Sequence, residues 1–395
     1  MGEAPRSAPI RIAFASSYPP RRCGIATYTS DLGRASGNRE IIALTPPDHE
    51  TPYPTEVHHR IRRDVSEDYP RIARALDACR VDLVSIQYDP TIWGGTDGAY
   101  VLDFVRALNL PAVTTFHAIA RRPTPAQRKV IAELAAASAA TVVMSAAAAG
   151  LLAKAYGVDP GLVDIIPHGV PDLPLVEPAT AKASLGLTDA PFVLSFGLLG
   201  PEKGFELAIA AMPAVVAAVP AARLVILGPT HPDLIRSEGE AYRRSLQDQI
   251  RALGMTGSVE LVDRFLGRTE LGRWLQAADL FVTPYPGLEQ TVSGTLSHAM
   301  GAGKAIVSTP FAHASELLSG GRGVLAKPDP AALAAAFILL LGDPAKRAAI
   351  GGRAHAYSRA MLWPSIGQRY GELFERIAQT QRRPAGRAIL ESARA

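Results

Sequence analysis

Short apolar runs recur along the chain and alternate with segments of helical periodicity. In chain order the runs read IRIAFASS, VDLVSIQYD, AVTTFHA, TVVMS, FVLSFGLL, RLVILG, VELVD, LFVTPY and AIVSTP. Each run is continuously apolar rather than alternating with polar residues, which is typical of strands covered on both faces. Because the intervals between the runs leave room for crossover helices, the pattern predicts an α/β protein with parallel sheets.

The series of strands restarts after a segment rich in proline and small polar residues, IIPHGVPDLPLVEPATAKASLGLTDAP. Such a segment is typical of a linker between two doubly wound, Rossmann-like units. We predict an N-terminal domain over residues 1–175 and a C-terminal domain over residues 185–356, facing each other across a cleft. Residues 357–380 have helical spacing, interrupted by Pro364, and are expected to pack back on the first domain.

Composition and charge exclude several classes of protein. Hydrophobic residues make up 48% of the chain and charged residues 20%, which is enough for packed cores, and the net charge is only +4. No long run of Lys and Arg is present, and Cys23 and Cys79 match neither a disulfide framework nor a metal-binding spacing. We therefore expect no metal, no nucleic-acid partner and a cytoplasmic location, since the N-terminus also has no apolar signal core.

One uncharged segment, from Leu134 to Ala153, is long enough to suggest a membrane span. It consists mostly of Ala and Ser, however, and TVVMS within it is typical of a short buried strand. We therefore expect peripheral membrane contact at most.

Two residues of the first domain stand where a predicted strand ends. Gly24 follows the proline-rich end of the first strand and is expected to open a helix. A glycine there lets a phosphate or sugar approach the free backbone N–H groups, although most such glycines only make a turn. His117 follows AVTTF, and it either faces a ligand or is hydrogen-bonded within its loop. Since open parallel sheets bind ligands at the carboxyl ends of their strands, both are candidate site residues.

Another strand of this domain ends in QYDPTIWGG. Gln87 and Tyr88 leave the strand, and Trp93 follows in a loop with paired glycines. A solvated aromatic residue beside glycines suits a carbohydrate, so we predict that these three residues bind an acceptor. The same residues also suit an ordinary turn.

The second domain opens with SFGLLGPEKGFELAIAAM, which predicts a strand, a glycine turn and a helix. Lys203 lies in that turn, at the mouth of a parallel sheet, where a flexible point charge suits a diphosphate. A solvated lysine in the first turn of the helix is the alternative. We predict that Lys203 binds a phosphate group.

The segment EQTVSGTLSHAMGAGKAIVSTP crowds polar side chains between two apolar strands. Ser293 is expected to cap a helix that begins with Gly294 and Thr295, and His298 lies one turn later. With Gln290 just before them, these residues form a polar cluster at a helix N-terminus, which we predict faces a ligand. Alternatively, His298 is a buried partner of a neighbouring backbone carbonyl.

In order and spacing these pieces resemble the group 1 (family 4) retaining glycosyltransferases of GT-B fold over nearly the full chain. The resemblance is carried by IIPHGV, FGLLGPEKG, ADLFVTP, SHAMGAGKAIVSTP and HASELL, together with Gly24 and His117. It implies a nucleotide-diphosphate sugar in the second domain, a carbohydrate or other hydroxyl-bearing acceptor in the first, and retention at the anomeric carbon without a metal or further cofactor. It also implies that Lys203 holds the diphosphate near Gly24, that His117 contacts the transferred sugar, and that Glu316 belongs to a donor-side loop.

Three positions depart from the family's pattern. Leu198 stands where the family has an arginine, and Gln290 and His298 stand at the positions of its paired glutamates. A leucine cannot clamp a leaving diphosphate, so Arg264 at another strand end, or a cationic His298, is a candidate replacement. Gln290 can hydrogen-bond a sugar hydroxyl but cannot supply negative charge to an oxocarbenium-like centre.

These observations favour a hexosyltransferase that uses a nucleotide-diphosphate sugar, with catalytic roles for His117, Gln290 and His298. Donor contacts are expected from Gly24, Lys203, Arg264, Ser293, Gly294, Thr295 and Glu316. Two alternatives stay open. One is a GT-B protein that binds a nucleotide sugar or glycan without transferring it, and the other is a sugar-nucleotide epimerase.

Overall fold

The computed structural model describes residues 10–37, 40–47 and 52–382. The N-terminal segment that bears on export lies outside this part of the chain. The chain divides into two compact units, of which one combines the residues up to Pro167 with those from Pro364 onward, and the other is His168–Trp363. Each unit contains one parallel sheet.

The first unit is a seven-stranded sheet in the order β3-β2-β1-β4-β5-β6-β7, and all its neighbouring strands are parallel. The strands are β1 (Ile12–Ser16), β2 (Glu40–Thr45), β3 (Val57–Arg62), β4 (Leu83–Tyr88), β5 (Ala112–Phe116), β6 (Ala140–Val143) and β7 (Val163–Ile165). The helices are α1 (Gly24–Ala35), α2 (Asp68–Ala75), α3 (Tyr100–Arg106), α4 (Pro125–Ala136) and α5 (Ala146–Leu151), which continues into a π-helical turn, Leu152–Tyr156.

The second unit is a six-stranded parallel sheet in the order β10-β9-β8-β11-β12-β13. Its helices are α6 (Pro178–Ser184), α7 (Phe205–Ala218), α8 (Pro232–Glu238), α9 (Ala241–Ala252), α10 (Arg268–Ala277), α11 (Gly294–Gly301), α12 (Ala312–Leu317), α13 (Pro330–Leu341) and α14 (Pro344–Ser358). Its strands are β8 (Phe192–Phe196), β9 (Arg223–Leu227), β10 (Val259–Val262), β11 (Leu280–Thr283), β12 (Ala305–Ser308) and β13 (Val324–Leu325).

The chain then returns to the first unit with α15 (Trp363–Arg382). The helical interruption expected at Pro364 is present, because α14 ends at Ser358 and Pro364 lies in the first turn of α15, where proline is tolerated. Within the first unit Tyr370 of α15 shares a 2.9 Å hydrogen bond with Tyr28 of α1. Phe374, one turn later, packs edge-on against Phe14 of β1 at 6.3 Å between ring centroids.

The continuously apolar strands are buried on both faces, as their sequence predicts. Every residue of β1, β11 and β12 is buried. In the second unit Val193 packs into one core cluster, while its neighbours Phe192 and Leu194 pack into another. Side chains that alternate along one strand therefore fill two separate cores, and the α/β, doubly wound prediction is confirmed.

TVVMS, the apolar stretch inside the uncharged segment, lies largely in β6, whose four residues are all buried. Its hydrophobicity is therefore explained by its place in the sheet. Within the ranges that the structure describes, no helix has the length and hydropathy needed to cross a membrane.

Each sheet reverses its strand order once, between β1 and β4 in the first unit and between β8 and β11 in the second. At such a switch point the loops leaving neighbouring strands diverge and open a crevice at the carboxyl ends. The loop after β1 leads to Gly24, and the loops after β8 and β11 lead to Lys203 and Ser293. The topology thus places the predicted site residues of each unit at the carboxyl edge of its own sheet.

Candidate functional site

The lysine turn of the second unit is built by a short 3-10 turn, Pro201–Lys203, that follows β8. Gly204 ends this turn in the left-handed region, with φ of 64°, and it is buried. A Cβ atom on Gly204 would lie 2.2 Å from the carbonyl oxygen of Pro284, in the loop after β11. Only glycine therefore lets the lysine turn approach the neighbouring loop so closely.

The side chain of Lys203 lies above the ring of Tyr285, with Nζ 4.9 Å from the ring centroid. Its side chain is 20% exposed, and Nζ is 3.8 Å from a carboxylate oxygen of Glu202, which is itself 55% exposed. A cation over an aromatic face is attracted by the ring quadrupole. The ammonium group is thus held partly desolvated while it can still be reached by an anion.

Tyr285 connects the lysine to the helix start. Its ring stacks on Phe311 at 4.9 Å between centroids, with the planes inclined by 22°. Its hydroxyl lies 2.9 Å from Thr295 Oγ1 and 3.2 Å from Ser293 Oγ. The buried tyrosine therefore fixes both the position of Lys203 and the first turn of α11.

The capping predicted for α11 is confirmed. Ser293 is extended, with φ of −142°, and its Oγ accepts the backbone N–H of Leu296 at 3.3 Å. A Cβ on Gly294, the first helical residue, would lie 2.9 Å from Nε2 of His168, so the glycine lets this imidazole pack against the helix start. The N–H of Leu296 is thus capped, and the backbone N–H groups of Gly294 and Thr295 are the ones that an anion at this helix N-terminus would contact.

His298 lies one turn into α11 and is part-buried. Its Nδ1–H donates to the carbonyl oxygen of Gly294 at 2.7 Å, and its ring contacts those of His168 at 5.6 Å and Phe196 at 6.2 Å between centroids. Burial lowers the pKa of His298 below its ordinary value, so the ring is neutral at pH 7 and Nε2 is an acceptor. A neutral ring does not supply the positive charge of the missing arginine, and the replacement of that arginine by a cationic His298 stays a prediction.

The remaining donor-side candidates occupy neighbouring loops of the second unit. Gln290 is part-buried, and its backbone carbonyl accepts the N–H of His313 at 3.2 Å. Arg264 follows β10, is 60% exposed, and pairs with Glu270 at 2.9 Å. Glu316 is part-buried on α12. The structure thus joins Lys203 to the helix start through Tyr285, while the charge of Arg264 is shared with a carboxylate.

Gly24 is the first residue of α1, as predicted, and it is exposed. The N-cap residue Cys23 makes no side-chain capping bond, and no atom lies within 4 Å of a Cβ built on Gly24. Within the described part of the first unit, α1 therefore begins without a side-chain cap and with open space beside Gly24. A role for Gly24 in binding the donor stays a prediction.

His117 lies directly after β5, with its Nε2 2.9 Å from Oε1 of Gln87 and its ring edge-on to Tyr28 at 4.9 Å between centroids. The amide nitrogen of Gln87 donates to Ser85 Oγ at 3.0 Å, so the amide oxygen must accept and His117 Nε2 must carry the proton. Burial lowers the pKa of His117 to about 3. The neutral ring therefore presents Nδ1 as its remaining acceptor.

The low pKa of His117 predicts a pH-dependent stability. A histidine whose folded pKa lies below its ordinary value of 6.5 contributes stability that is complete above pH 6.5 and is lost as the pH falls toward 3. His117→Gln keeps a donor near the position of Nε2 but does not titrate. We expect the free energy of unfolding in urea to fall more steeply from pH 7 to pH 4.5 for wild type than for the variant. Parallel pH profiles would contradict this assignment.

The three predicted acceptor residues lie inside the first unit rather than on a solvated loop. Trp93 is only 2% exposed, and its indole N–H donates to the carbonyl of Gln87 at 2.9 Å, so the expectation of a solvated aromatic residue at this position is wrong. The Tyr88 hydroxyl donates to the carbonyl of Asp97 at 2.6 Å, and the Gln87 side chain is buried against His117. Tertiary packing explains the burial, because Tyr69 and Phe104 cover Trp93.

Two residues of the site were missed in the sequence. Tyr285 is visible in LFVTPY, where a tyrosine at the carboxyl end of a buried strand is a signal, but its contact with Lys203 spans residues far apart in the chain. His168 is visible in IIPHGV, yet nothing in the sequence connects it with Gly294. In the described part of the chain, no group of three or more His, Cys, Asp or Glu side chains gathers as a metal-ligand set.

Comparison with known proteins identifies both units. The family model described as Glycosyltransferase Family 4 matches residues 23–172, and the model described as Glycosyl transferases group 1 matches residues 190–343. The first match begins at the start of α1, and the second contains Lys203 and the whole of α11.

Named relatives give the same assignment. The chain is 30% identical over 244 residues to a D-inositol 3-phosphate glycosyltransferase of Kineococcus radiotolerans, a match that covers 57% of this chain and 54% of that protein. It is 24% identical over 394 residues to a GDP-mannose-dependent monoacylated alpha-(1-6)-phosphatidylinositol monomannoside mannosyltransferase of Corynebacterium glutamicum, covering 92% of this chain and 97% of that protein. The chain thus spans about half the length of the first relative and nearly all of the second.

Solved structures agree on the fold. The Anabaena protein HepE, solved in complex with UDP-glucose, matches with a TM-score of 0.74 and 17% identity, covering 93% of this chain and 99% of that one. At this identity the likeness concerns the GT-B fold alone. With the two family models together covering most of its length, the chain belongs to the group 1 and family 4 glycosyltransferases.

Proposed function

We propose that this glycosyltransferase moves a hexosyl group from a nucleotide-diphosphate sugar to a hydroxyl-bearing acceptor with retention of the anomeric configuration. The observation that carries the proposal is the connection of Lys203 to the N-terminus of α11 through Tyr285. A lysine ammonium and a helix N-terminus are both devices by which proteins hold phosphate groups. Here one buried tyrosine holds both in place.

The donor diphosphate would contact the Lys203 ammonium and the backbone N–H groups of Gly294 and Thr295. UDP-glucose is the ligand named for HepE, and GDP-mannose is the donor named for the Corynebacterium relative. Both are hexosyl donors with a nucleoside diphosphate leaving group. We therefore expect a donor of this class, bound by the second unit without a metal.

The chemistry would depend on position and charge stabilisation rather than on a protein carboxylate. Gln290 and a neutral His298 replace the family's glutamates, and each can hydrogen-bond a hydroxyl but supplies no negative charge. The acceptor oxygen forms its bond to the anomeric carbon as the bond from that carbon to the leaving phosphate oxygen breaks. The acceptor proton then passes to the leaving diphosphate, which Lys203 stabilises.

In the first unit, His117 would contact the transferred sugar through Nδ1, and Gln87 would keep the ring in the required tautomer. Gln87 would then act by orienting His117 and would not bind the acceptor directly. The relatives are named for acceptors that contain inositol and phosphate, D-inositol 3-phosphate and a phosphatidylinositol monomannoside. A polyol or sugar hydroxyl, carried on a phosphate-bearing molecule, is therefore the acceptor class that we propose.

A thermal-shift screen tests the donor assignment. We expect UDP-glucose or GDP-mannose to raise the melting temperature, since a ligand that binds only the folded protein stabilises it by mass action. Hits would then be assayed for nucleoside diphosphate release with and without acceptor. Conversion of the donor to an epimer without release would favour an epimerase, and binding without any reaction would favour a silent binding protein.

Replacing Gln290 or His298 with alanine should reduce turnover more than thermal stability. We expect each change to lower kcat by about tenfold or more, because a group that contacts the reacting sugar acts mainly in the transition state. Gln247→Ala, an exposed position on α9 of the same unit, is the matched control. If His298→Ala lowers the melting temperature while donor binding and turnover are unchanged, His298 is only a partner of the Gly294 carbonyl.

A further inference from the structure

His313 is a buried histidine with no role in the proposed chemistry. It lies in the first turn of α12, which follows β12 after a short loop, and is only 1% exposed. Its Nδ1 accepts the backbone N–H of Ser293 at 2.9 Å, and its own backbone N–H donates to the carbonyl of Gln290 at 3.2 Å. One residue therefore bonds to both ends of the segment 290–293, directly before α11.

The contact with Ser293 requires one form of the ring. Because Nδ1 accepts a hydrogen bond it carries no proton, so the neutral ring has its proton on Nε2. Nε2 is buried, and no partner for it occurs in the part of the chain that the structure describes. Burial lowers the pKa of His313 to about 4, which keeps the ring neutral at pH 7. A buried donor without a partner is unfavourable, and a leucine at this position would avoid it.

Ser293, which His313 contacts, also contacts the groups that are proposed to hold the donor. Its Oγ caps the N–H of Leu296 and lies 3.2 Å from Thr295 Oγ1, and the same Oγ is 3.2 Å from the hydroxyl of Tyr285. Tyr285 in turn lies beneath Lys203. The backbone of Ser293 is therefore the point at which His313 fixes the capped helix start.

We propose that His313 is a positioning residue of the donor site, which holds Ser293, and through it the first turn of α11, in the geometry that binds the donor diphosphate. This inference rests on the proposed function. It assigns no direct ligand contact to His313. It explains why a histidine that leaves one nitrogen unpartnered occupies a buried position where an apolar residue would pack.

Two amide variants isolate the Nδ1 contact. In His313→Asn the side-chain oxygen takes the place of Nδ1 and can accept the Ser293 N–H. In His313→Gln the amide group lies one bond further out, near the place of Nε2, and leaves Ser293 without its acceptor. Both variants retain the backbone hydrogen bond to Gln290 and a polar side chain at position 313. A general folding defect would therefore affect both variants alike, and a difference between them reports the contact with Ser293.

Donor affinity is measured with UDP-glucose and GDP-mannose as probes, by calorimetry and by the KM and kcat of nucleoside diphosphate release. The loss of one backbone hydrogen bond at the helix start should raise the donor Kd and KM of His313→Gln by about fivefold or more, with a smaller change in kcat. His313→Asn should stay within about twofold of wild type. Equal donor constants for the two folded variants, whether near wild type or equally weakened, would overturn the inference.

Hydrogen exchange of the Ser293 region separates this inference from the proposed function. Peptides covering residues 284–300 should exchange faster in His313→Gln than in His313→Asn or wild type. If that difference is present but wild type binds neither probe, the proposed function fails and His313 holds a loop with no donor role, which overturns the inference as well. If the donor binds but exchange is the same in both variants, only the positioning role is overturned.

Discussion

Lys203→Ala is expected to weaken donor binding or turnover by about tenfold to a hundredfold, and this is the largest functional effect that we expect from a single substitution. The lysine side chain is 20% exposed and its ammonium group lies over Tyr285, where a contact with a diphosphate is partly shielded from water. A hydrogen bond to a charged group is worth about 1.5 to 3 kcal/mol, which corresponds to this range. Calorimetry with UDP-glucose and GDP-mannose, followed by steady-state release of nucleoside diphosphate, measures the loss.

Lys346→Ala is the matched control for this substitution, because Lys346 is exposed on α14 of the same unit. Lys346→Ala lowers the net charge of the protein by the same amount as Lys203→Ala. Comparing the two variants therefore corrects for the long-range effect of net charge on the binding of an anionic donor. Both variants should unfold at temperatures close to that of wild type. Donor constants that are the same for Lys203→Ala and Lys346→Ala would show that the diphosphate does not bind at Lys203.

Gly204→Ala should have the largest effect on stability. Its Cβ would lie 2.2 Å from the backbone carbonyl oxygen of Pro284, and the residue has φ of 64°. A left-handed non-glycine residue costs about 1 to 2 kcal/mol, and displacing a backbone carbonyl adds a further term of similar size. We expect the free energy of unfolding to fall by about 3 kcal/mol and Lys203 to move away from Tyr285.

Gly254→Ala separates the two contributions. Gly254 has φ of 69° in the same unit, but no atom lies within 4 Å of its Cβ position. This variant should lose about 1 to 2 kcal/mol from backbone strain alone and keep its donor affinity. Denaturant unfolding of the two variants compares them directly. If the two variants lose the same free energy of unfolding, the close approach of the lysine turn to Pro284 is not important for stability.

The fold could be predicted because its strands carry a local signal. IRIAFASS, FVLSFGLL and AIVSTP are continuously apolar, and each contains a parallel strand that is almost entirely buried. The cap at Ser293 could also be predicted, since a serine before a glycine and an apolar helical stripe is a local pattern. Each of these features depends on residues close together in the sequence.

The contacts that organise the site could not be predicted in the same way, because they join distant segments. The sequence predicts that Trp93 is a solvated aromatic residue that binds a sugar, but residues of α2 and α3 cover its ring. Lys203 and Tyr285, or Ser293 and His313, meet only after their strands have paired. Hydrophobic periodicity places an element in a sheet but does not specify which polar side chains from different loops will meet.

The most direct test of the account is to follow the anomeric proton of the sugar by NMR during a reaction with a donor that raises the melting temperature. UDP-glucose and GDP-mannose are the first donors, with D-inositol 3-phosphate and a phosphatidylinositol monomannoside as acceptors. We predict that nucleoside diphosphate is released only with an acceptor, in equal amount to a glycoside that keeps the donor's anomeric configuration. Donor binding with no release under any acceptor, or a product of inverted configuration, would contradict the account.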